Sequence, residues 1–195
     1  MRTSECDLVI VGVGGQGVIL ISDVMGRAAV LAGKSICGAE THGMAQRGGS
    51  VINHTRIGCS FSPLVALGSA DLLVALEPGE ALRFARYLSP EGVALVNTRP
   101  VLPATVTAGL ACYPPIPEIL SALREHCRRV VDMDATALAS QAGTAQAMNV
   151  VMLGALSSLI PLSEDDLLCS LAQVVPARFL EANKRAFALG KAEVE

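Results

Sequence analysis

The sequence has no Trp, few aromatic residues and few charges. Its 195 residues include two Tyr and four Phe, and only 17% are charged, whereas 51% are hydrophobic. A core with so few aromatic rings must be built from Val, Leu, Ile and Ala, which suits closely packed α/β layers. The length allows one full core, so we predict a single domain over residues 1–195.

Clustered cysteines are also lacking. The six cysteines are scattered and form no C-x-x-C pair. Iron–sulfur and structural zinc sites need clustered thiolates, so we predict no metal site in this chain and expect buried, reduced thiols. The residues also offer no recognisable pairing of a nucleophile with a base, or of an acid with a base, so we assign no catalytic residue.

Charge and apolar runs exclude two classes of partner. The net charge is −3, and no Lys and Arg cluster interleaved with aromatics is present, which argues against nucleic acid. The longest apolar stretch, 150–160, is too short for a bilayer, and no signal-peptide cleavage site follows the first apolar run, so we predict a cytoplasmic protein. The mean hydropathy of +0.49 predicts apolar surface that partner chains cover.

The first fifty residues carry the strongest functional signal. The apolar run 8–11 predicts a buried parallel strand, and the periodic residues 18–32 predict a helix that ends at Gly33. Between them lies Gly12-Val13-Gly14-Gly15-Gln16-Gly17. Glycines let a ligand approach the backbone, and a helix N-terminus favours an anion, so this turn is a candidate phosphate site. Alternatively, the glycines only allow close packing of strand against helix.

A second glycine-rich stretch, 40–49, holds more candidates. Glu40 lies about twenty residues after the glycines, where the dinucleotide-binding fingerprint has its acid. The Arg47 guanidinium can grip a phosphate or carboxylate with two parallel bonds, or pair with Glu40 or a partner chain. Functional residues also favour such loops. The candidate binding residues of this stretch are Glu40, His42, Gln46, Arg47 and Gly48.

Further along the chain, strand and helix patterns alternate. Strands are predicted at 35–39, 51–57, 71–76, 92–97 and 130–133, and helices at 78–88, 119–127, 144–159, from 163, and at 177–189 with Gly190 as the stop. Residues 98–117 contain five prolines and are predicted as loop with a short strand at 110–113. His54, Asn149 and Asn183 are interpreted as structural hydrogen-bonding residues. The fold class predicted is a Rossmann-like three-layer α/β sandwich with a mostly parallel sheet.

The order of several motifs resembles one known family. Gly-x-Gly-Gly-Gln-Gly at 12–17 precedes Glu-x-x-Gly-Met-Ala-Gln-Arg-Gly-Gly at 40–49, an apolar helix led by Asn149, and Asn-x-x-Ala-Phe-x-x-Gly at 183–190. This set resembles the gamma subunit or domain of the 2-oxoacid:ferredoxin oxidoreductases over nearly the whole chain. Within that family the resemblance is greatest to the separate small subunit of the indolepyruvate (arylpyruvate) enzymes.

The resemblance implies a subunit of a complex that oxidatively decarboxylates a 2-oxoacid to an acyl-CoA and reduces ferredoxin. It implies that thiamine diphosphate, Mg²⁺ and [4Fe–4S] clusters belong to a large alpha-type partner subunit, which leaves CoA binding and assembly to this chain. The site hypothesis is a CoA phosphate at 12–17 with Arg47 closing over it. A free-standing NAD(P)-dependent dehydrogenase, with Glu40 on the ribose, and a pure assembly scaffold remain as alternatives. A second copy of the chain is a further partner option.

Overall fold

The computed structural model describes residues 5–42, 48–59 and 61–194. In this part of the chain, six strands form one sheet. The strands are β1 (Cys6–Val13), β2 (Ile36–His42), β3 (Ser50–Ile57), β4 (Ala70–Ala75), β5 (Leu88–Asn97) and β6 (Arg129–Met133). The helices are α1 (Val18–Leu31), α2 (Pro78–Phe84), α3 (Ala104–Thr107), α4 (Ile116–Arg124), α5 (Ala135–Ala142), α6 (Met148–Ser157), α7 (Glu164–Val174) and α8 (Ala177–Ala192).

The sheet is mostly parallel, with one antiparallel strand inside it. Its order is β2-β3-β1-β4-β5-β6, and β1, β4, β5 and β6 pair in parallel. Strand β3 runs antiparallel to both of its neighbours, β1 and β2. The carboxyl ends of the central strands β1 and β4 therefore lie side by side at the same end of the sheet, next to the first residue of β3.

Alternate residues of β1 face two separate apolar layers. Leu8 and Ile10 join the larger layer, which includes α1 and helices α5 to α8. Val9 and Val11 join the smaller layer, which includes α2 and α4. Helices thus cover both faces of the sheet, and the predicted three-layer α/β fold is confirmed.

Helices α6 and α8 touch at two glycines. A Cβ built on Gly154 would lie 2.0 Å from the carbonyl oxygen of Phe187, and one built on Gly190 would lie 1.8 Å from that of Val151. The two backbones approach this closely because neither position carries a side chain. The prediction that Gly190 ends the last helix is wrong: α8 continues to Ala192, and the glycine serves the helix contact.

Several other boundaries differ from the sequence prediction, among them β2, which continues to His42, and α4, which spans Ile116–Arg124. Residues 110–113 form no strand, and one helical turn, α3, precedes them. Helix α2 ends at Phe84 and passes through a 3-10 turn, Ala85–Tyr87, directly into β5, which is longer than predicted. The predicted helix 144–159 begins as a 3-10 turn, Ala145–Ala147, and becomes α-helical at Met148. At α2, β5 and α6 the local pattern predicted the kind of element correctly and only its ends differ, whereas at 110–113 the predicted strand itself is wrong.

His54 is a structural residue, as the strand pattern indicates. It is buried on β3, and its Nδ1 accepts a hydrogen bond from the N–H of Val65 at 3.3 Å. Its ring meets that of Tyr87 edge to face, with centroids 5.2 Å apart. Burial lowers the pKa of His54 below its ordinary value, so the neutral ring that accepts from Val65 is favoured in the folded chain.

Stability is therefore expected to fall as the pH is lowered through the titration range of His54. Above about pH 6.5 the ring is neutral whether folded or unfolded; below that, the unfolded chain binds the proton first, so the free energy of unfolding drops by at most about 1.4 kcal/mol per pH unit. Urea denaturation of the natural chain and of His54→Gln at about pH 7.5 and pH 5.5 measures this, since the difference between them isolates the histidine. Parallel pH dependences in the two proteins would contradict it.

The cysteines differ in exposure. Cys6 is buried, and this burial raises the pKa of its thiol to about 12, with Asp71 and Asp7 adding to the effect. Cys37, Cys59 and Cys127 are partly buried, and Cys112 and Cys169 are exposed. The expectation of buried thiols is therefore confirmed for Cys6 and wrong for the two exposed cysteines. Within residues 5–42, 48–59 and 61–194, His, Cys, Asp and Glu side chains form no group of three or more that could hold a metal, and no helix has the length and hydropathy to cross a membrane.

Candidate functional site

The glycine turn joins the carboxyl end of β1 to the first residue of α1. Gly15 and Gly17 have φ angles of 102° and 83°, which other residues adopt only with strain. Gly17 is the N-cap residue of α1 and supplies no side-chain cap. The predicted strand, turn and helix are confirmed at this position, and the helix N-terminus points to the edge of the sheet where ligands of α/β folds bind.

The side chain of Gln16 folds back across this turn. Its Oε1 accepts from the N–H of Val13 at 2.9 Å, and its Nε2 donates to the carbonyl of Leu76, just after β4, at 3.0 Å. A Cβ on Gly12 would lie 2.8 Å from that Oε1, so Gly12 leaves space for the amide. Gln16 was a candidate ligand-binding residue; both ends of its amide are engaged within the chain, where they tie the turn to β4.

Part of the turn backbone has no hydrogen-bond acceptor in the described part of the chain. The N–H of Gly14 donates to the carbonyl of Gly49 at 2.8 Å. Among the described residues, no acceptor reaches the N–H groups of Gly15, Gly17 and Val18. These groups lie at the positive end of the α1 dipole, where a negatively charged group is stabilised.

The second glycine stretch meets the first through its backbone. The N–H of Gly48 donates to the carbonyl of Gly14 at 3.2 Å, opposite the bond from Gly14 to Gly49. Gly48 has a φ of 74°, which suits glycine at this reversal. The two glycine stretches are therefore adjacent at Gly14 and Gly48, and their role as one binding site stays a prediction. The remaining candidates in this loop, Gln46, Arg47 and the side chain of His42, lie outside the described residues.

Glu40 lies on β2, separated from the glycine turn by β3. It is opposite Asn53, and Asn53 is opposite Ile10 of β1. With strands about 4.8 Å apart, its backbone is about 10 Å from that of β1. In the dinucleotide-binding order the acid ends the strand that pairs directly with β1. The strand order therefore disfavours Glu40 as a ribose ligand, and with it the NAD(P)-dependent dehydrogenase.

Asn149 brings α6 against the beginning of α1. Its Nδ2 donates to the carbonyl of Gly17 at 3.4 Å, and a Cβ on Gly17 would lie 2.2 Å from that nitrogen. Its interpretation as a residue that satisfies neighbouring backbone is confirmed. Asn183 does the same within α8, where it donates to Phe179 at 2.9 Å.

Two buried carboxylates lie beside the glycine turn at the start of α2. Glu77 caps the helix by accepting from the N–H of Glu80 at 2.9 Å. Glu80 accepts a 2.5 Å bond from the hydroxyl of Ser50, the first residue of β3. Glu77 accepts one from the hydroxyl of Tyr113, whose pKa is raised by burial and by this bond. Sequence analysis missed Ser50 and Tyr113 because their partners are 30 and 36 residues away.

The model of one protein family spans almost the whole chain. The family described as pyruvate ferredoxin/flavodoxin oxidoreductase matches residues 7–193. The chain belongs to this family. This match confirms the resemblance seen in the sequence. The site described above, with its glycine turn, its contact at Gly48 and its two α2 carboxylates, is thus a site of a pyruvate ferredoxin/flavodoxin oxidoreductase family member.

Curated relatives cover the same length. The chain is 41% identical to "Indolepyruvate oxidoreductase subunit IorB" of Archaeoglobus fulgidus, over 94% of this chain and 92% of the relative. It is 40% identical to the protein of the same name in Thermococcus kodakarensis, over 95% and 94%. "Pyruvate/ketoisovalerate oxidoreductases common subunit gamma" of Pyrococcus furiosus is 26% identical, over 75% and 73%. The identity to the indolepyruvate subunits is thus higher than to this gamma subunit.

Solved structures share the fold. The gamma subunit of a keto/oxoacid ferredoxin oxidoreductase from Geobacter sulfurreducens superposes with a TM-score of 0.71 at 24% identity, covering 97% of this chain and 98% of that one. The 2-oxoglutarate:ferredoxin oxidoreductase from Magnetococcus marinus gives 0.74 at 21% identity, but this chain covers only 31% of it. At these identities the likeness establishes the fold alone, and in the second protein the fold is one part of a longer chain.

Proposed function

We propose that this chain is the small subunit of a thiamine-diphosphate-dependent 2-oxoacid:ferredoxin oxidoreductase, with indolepyruvate or another arylpyruvate as substrate. The overall reaction converts a 2-oxoacid anion, CoA and two oxidised ferredoxins to an acyl-CoA, CO₂, a proton and two reduced ferredoxins. The observation that carries the proposal is the 41% identity, over nearly the full length, to a protein named as an indolepyruvate oxidoreductase subunit. The large partner subunit would hold thiamine diphosphate, Mg²⁺ and the [4Fe–4S] clusters, and the isolated chain would be inactive.

This chain's own contribution would be assembly and the binding of CoA. The geometry that supports CoA binding is the glycine turn at the start of α1, where the N–H groups of Gly15, Gly17 and Val18 have no acceptor among the described residues. A phosphate or pyrophosphate of CoA suits that group of donors. Arg47 would add a bidentate cation next to Gly48, which is bonded to the turn. When bound, CoA supplies the thiol that accepts the acyl group.

An isosteric pair of substitutions at Gly15 tests the binding of CoA. Gly15 is exposed, no atom lies within 4 Å of a Cβ built there, and Asn and Asp are the residues that best tolerate positive φ. In the complex reconstituted with the large subunit, Gly15→Asp is expected to raise the KM for CoA at least about tenfold over Gly15→Asn, because its carboxylate repels the phosphate. The KM for the 2-oxoacid should be the same in both.

The same preparations separate the alternatives. A panel of 2-oxoacids, assayed with and without CoA, identifies the substrate and the need for the thiol. Equal KM values for CoA in Gly15→Asp and Gly15→Asn would rule out the turn as its phosphate site and leave the assembly scaffold. Tight binding of NADH by the isolated chain would favour the dehydrogenase. Full activity of the large subunit alone would overturn the subunit assignment.

A further inference from the structure

An uncharged, exposed segment follows β5, and we call residues 100–113 the arm. It has no charged residue, and the next one along the chain is Glu118. Every residue from 100 to 112 except Val106 is exposed, and the side chain of Leu110 is 80% exposed. Val101 and Leu102 are also large hydrophobic residues open to solvent. Exposed apolar side chains grouped along one uncharged segment indicate a site of interaction.

The two ends of the arm are fixed to the core at a single carboxylate oxygen. Oε1 of Glu77 accepts from the N–H of Val101 at 3.2 Å and from the hydroxyl of Tyr113 at 2.5 Å. The hydroxyl of Tyr113 also accepts from the N–H of Gly79 at 2.9 Å. Glu77 is only 2% exposed, and a carboxylate so buried depends on its donors. The core therefore holds the arm closed through buried, charge-assisted bonds.

The interior of the arm is also ordered. Helix α3 ends with Gly109 at a φ of 72°, and the N–H of Leu110 donates to the carbonyl of Thr105 at 2.8 Å. This is a Schellman-type end, which normally accompanies an apolar contact of the residue after the glycine. Here that residue, Leu110, is presented to solvent. A preorganised apolar group loses little conformational entropy when it docks.

We propose that the arm is the surface by which this chain docks on the large catalytic subunit, in an apolar, uncharged cleft of that subunit. The inference rests on the proposed function and adds to it the surface that joins the two chains. The arm carries no charge for a partner to match, so the cleft must recognise it through apolar contact.

The position of the arm favours the large subunit as its partner. Glu77 follows Leu76, whose carbonyl accepts from Gln16 of the glycine turn and from Asn97 at the end of β5. The anchored ends of the arm are therefore joined to the glycine turn through Glu77 and Leu76, and in the proposed complex CoA bound at that turn must meet the chemistry of the partner. A second exposed apolar surface, along α1, is interrupted by the Asp23–Arg27 ion pair.

Charge substitutions on these two surfaces test the inference. Leu110→Asp places a carboxylate on the arm, and Val30→Asp, at a side chain 71% exposed near the end of α1, makes the matched change on the other surface. Affinity for the purified large subunit is expected to fall at least about tenfold in Leu110→Asp and to change less than about twofold in Val30→Asp. Both isolated chains should melt within about 2 °C of the natural chain, since both sites are exposed.

Each other outcome overturns the inference in a recognisable way. Natural affinity in Leu110→Asp refutes it, and so does loss of affinity in Val30→Asp alone, which would place the partner on α1. If Leu110→Asp abolishes self-association of the isolated chain in sedimentation but retains its affinity for the large subunit, the arm binds a second copy of this chain instead. If the natural chain fails to bind the large subunit at all, the proposed function fails first, and the inference fails with it.

Discussion

Gly190→Ala is expected to be among the most destabilising single substitutions in this chain. Its Cβ would lie 1.8 Å from the carbonyl oxygen of Val151, and that atom belongs to the backbone of α6, which can move only with its helix. We expect a loss of at least about 3 kcal/mol in the free energy of unfolding, or about 10 °C in Tm. Gly154→Ala, on the facing helix, should behave alike, since its Cβ would meet the carbonyl of Phe187.

The control for this prediction is Gly26→Ala. Gly26 lies inside α1, and no atom lies within 4 Å of a Cβ built there. The same chemical change should therefore raise the stability by up to about 1 kcal/mol through helix propensity. Thermal and urea melts of the three variants measure the effect. If Gly190→Ala melts like Gly26→Ala, the close crossing of α6 and α8 is not a feature of the folded chain.

Glu77→Ala is expected to have the second large effect, because three donors would lose one acceptor. The N–H groups of Glu80 and Val101 and the hydroxyl of Tyr113 all donate to its carboxylate. A helix cap contributes about 1 kcal/mol and a hydrogen bond to a charged acceptor about 1.5 kcal/mol or more, so we expect a loss of about 3 kcal/mol. Urea denaturation measures it against Glu91→Ala, an exposed acid on β5.

The same variant separates the role of Glu77 in the arm from its role as a helix cap. Hydrogen exchange of the amides in residues 100–113 should speed up more than that of α2, because both ends of the arm are released. Tyr113→Phe removes the bond to Glu77 and the acceptor of the Gly79 N–H, but it keeps the bond from Glu80 to Glu77 that caps α2. It should loosen the arm while leaving α2 protected. Unchanged exchange in the arm of both variants would show that Glu77 does not hold it.

The sequence predicted the layers of the fold but not the order of the strands. The apolar run at 8–11 and the periodic helix after it specify a strand and helix of an α/β fold on local grounds. The placement of antiparallel β3 between β1 and β2 depends on pairing across the sheet, which no local pattern encodes. That placement separates Glu40 from the glycine turn by one strand. The sequence therefore has the spacing of the dinucleotide-binding fingerprint, but the fold does not place the acid next to β1 as that fingerprint normally indicates.

Glycine was the residue most open to misreading. Gly17 combines a positive φ with a tight contact to Asn149, so the turn prediction succeeded for a reason that is partly packing. Gly190 lies where a helix cap is expected in the sequence, but its partner, Val151, is on another helix. A cap and a helix crossing place the same demand on a sequence, namely the absence of a side chain, and only tertiary structure separates them.

The part of the candidate site that the backbone forms could be predicted from the sequence. The part formed by side chains far apart in the chain could not. Gly14 and Gly48 belong to glycine motifs visible in the sequence, and the structure joins them directly. The Glu77–Tyr113 and Ser50–Glu80 bonds join residues whose separation carries no periodic signal. Such pairs become apparent only once β3 and β4 are placed at the same edge of the sheet.

The shared anchor of Val101 and Tyr113 has a consequence for the length of the chain between them. Both ends of the arm are held at one oxygen of Glu77, so the arm is a closed loop. Doubling its length would raise the free-energy cost of closing the loop by only about 0.6 kcal/mol. A peptide tag or fluorescent reporter inserted after Gly109 should therefore leave the folding of the sheet undisturbed. This makes the arm a graft site for following the isolated chain in solution without touching its core, and a reporter next to Leu110 would also be expected to block the proposed docking.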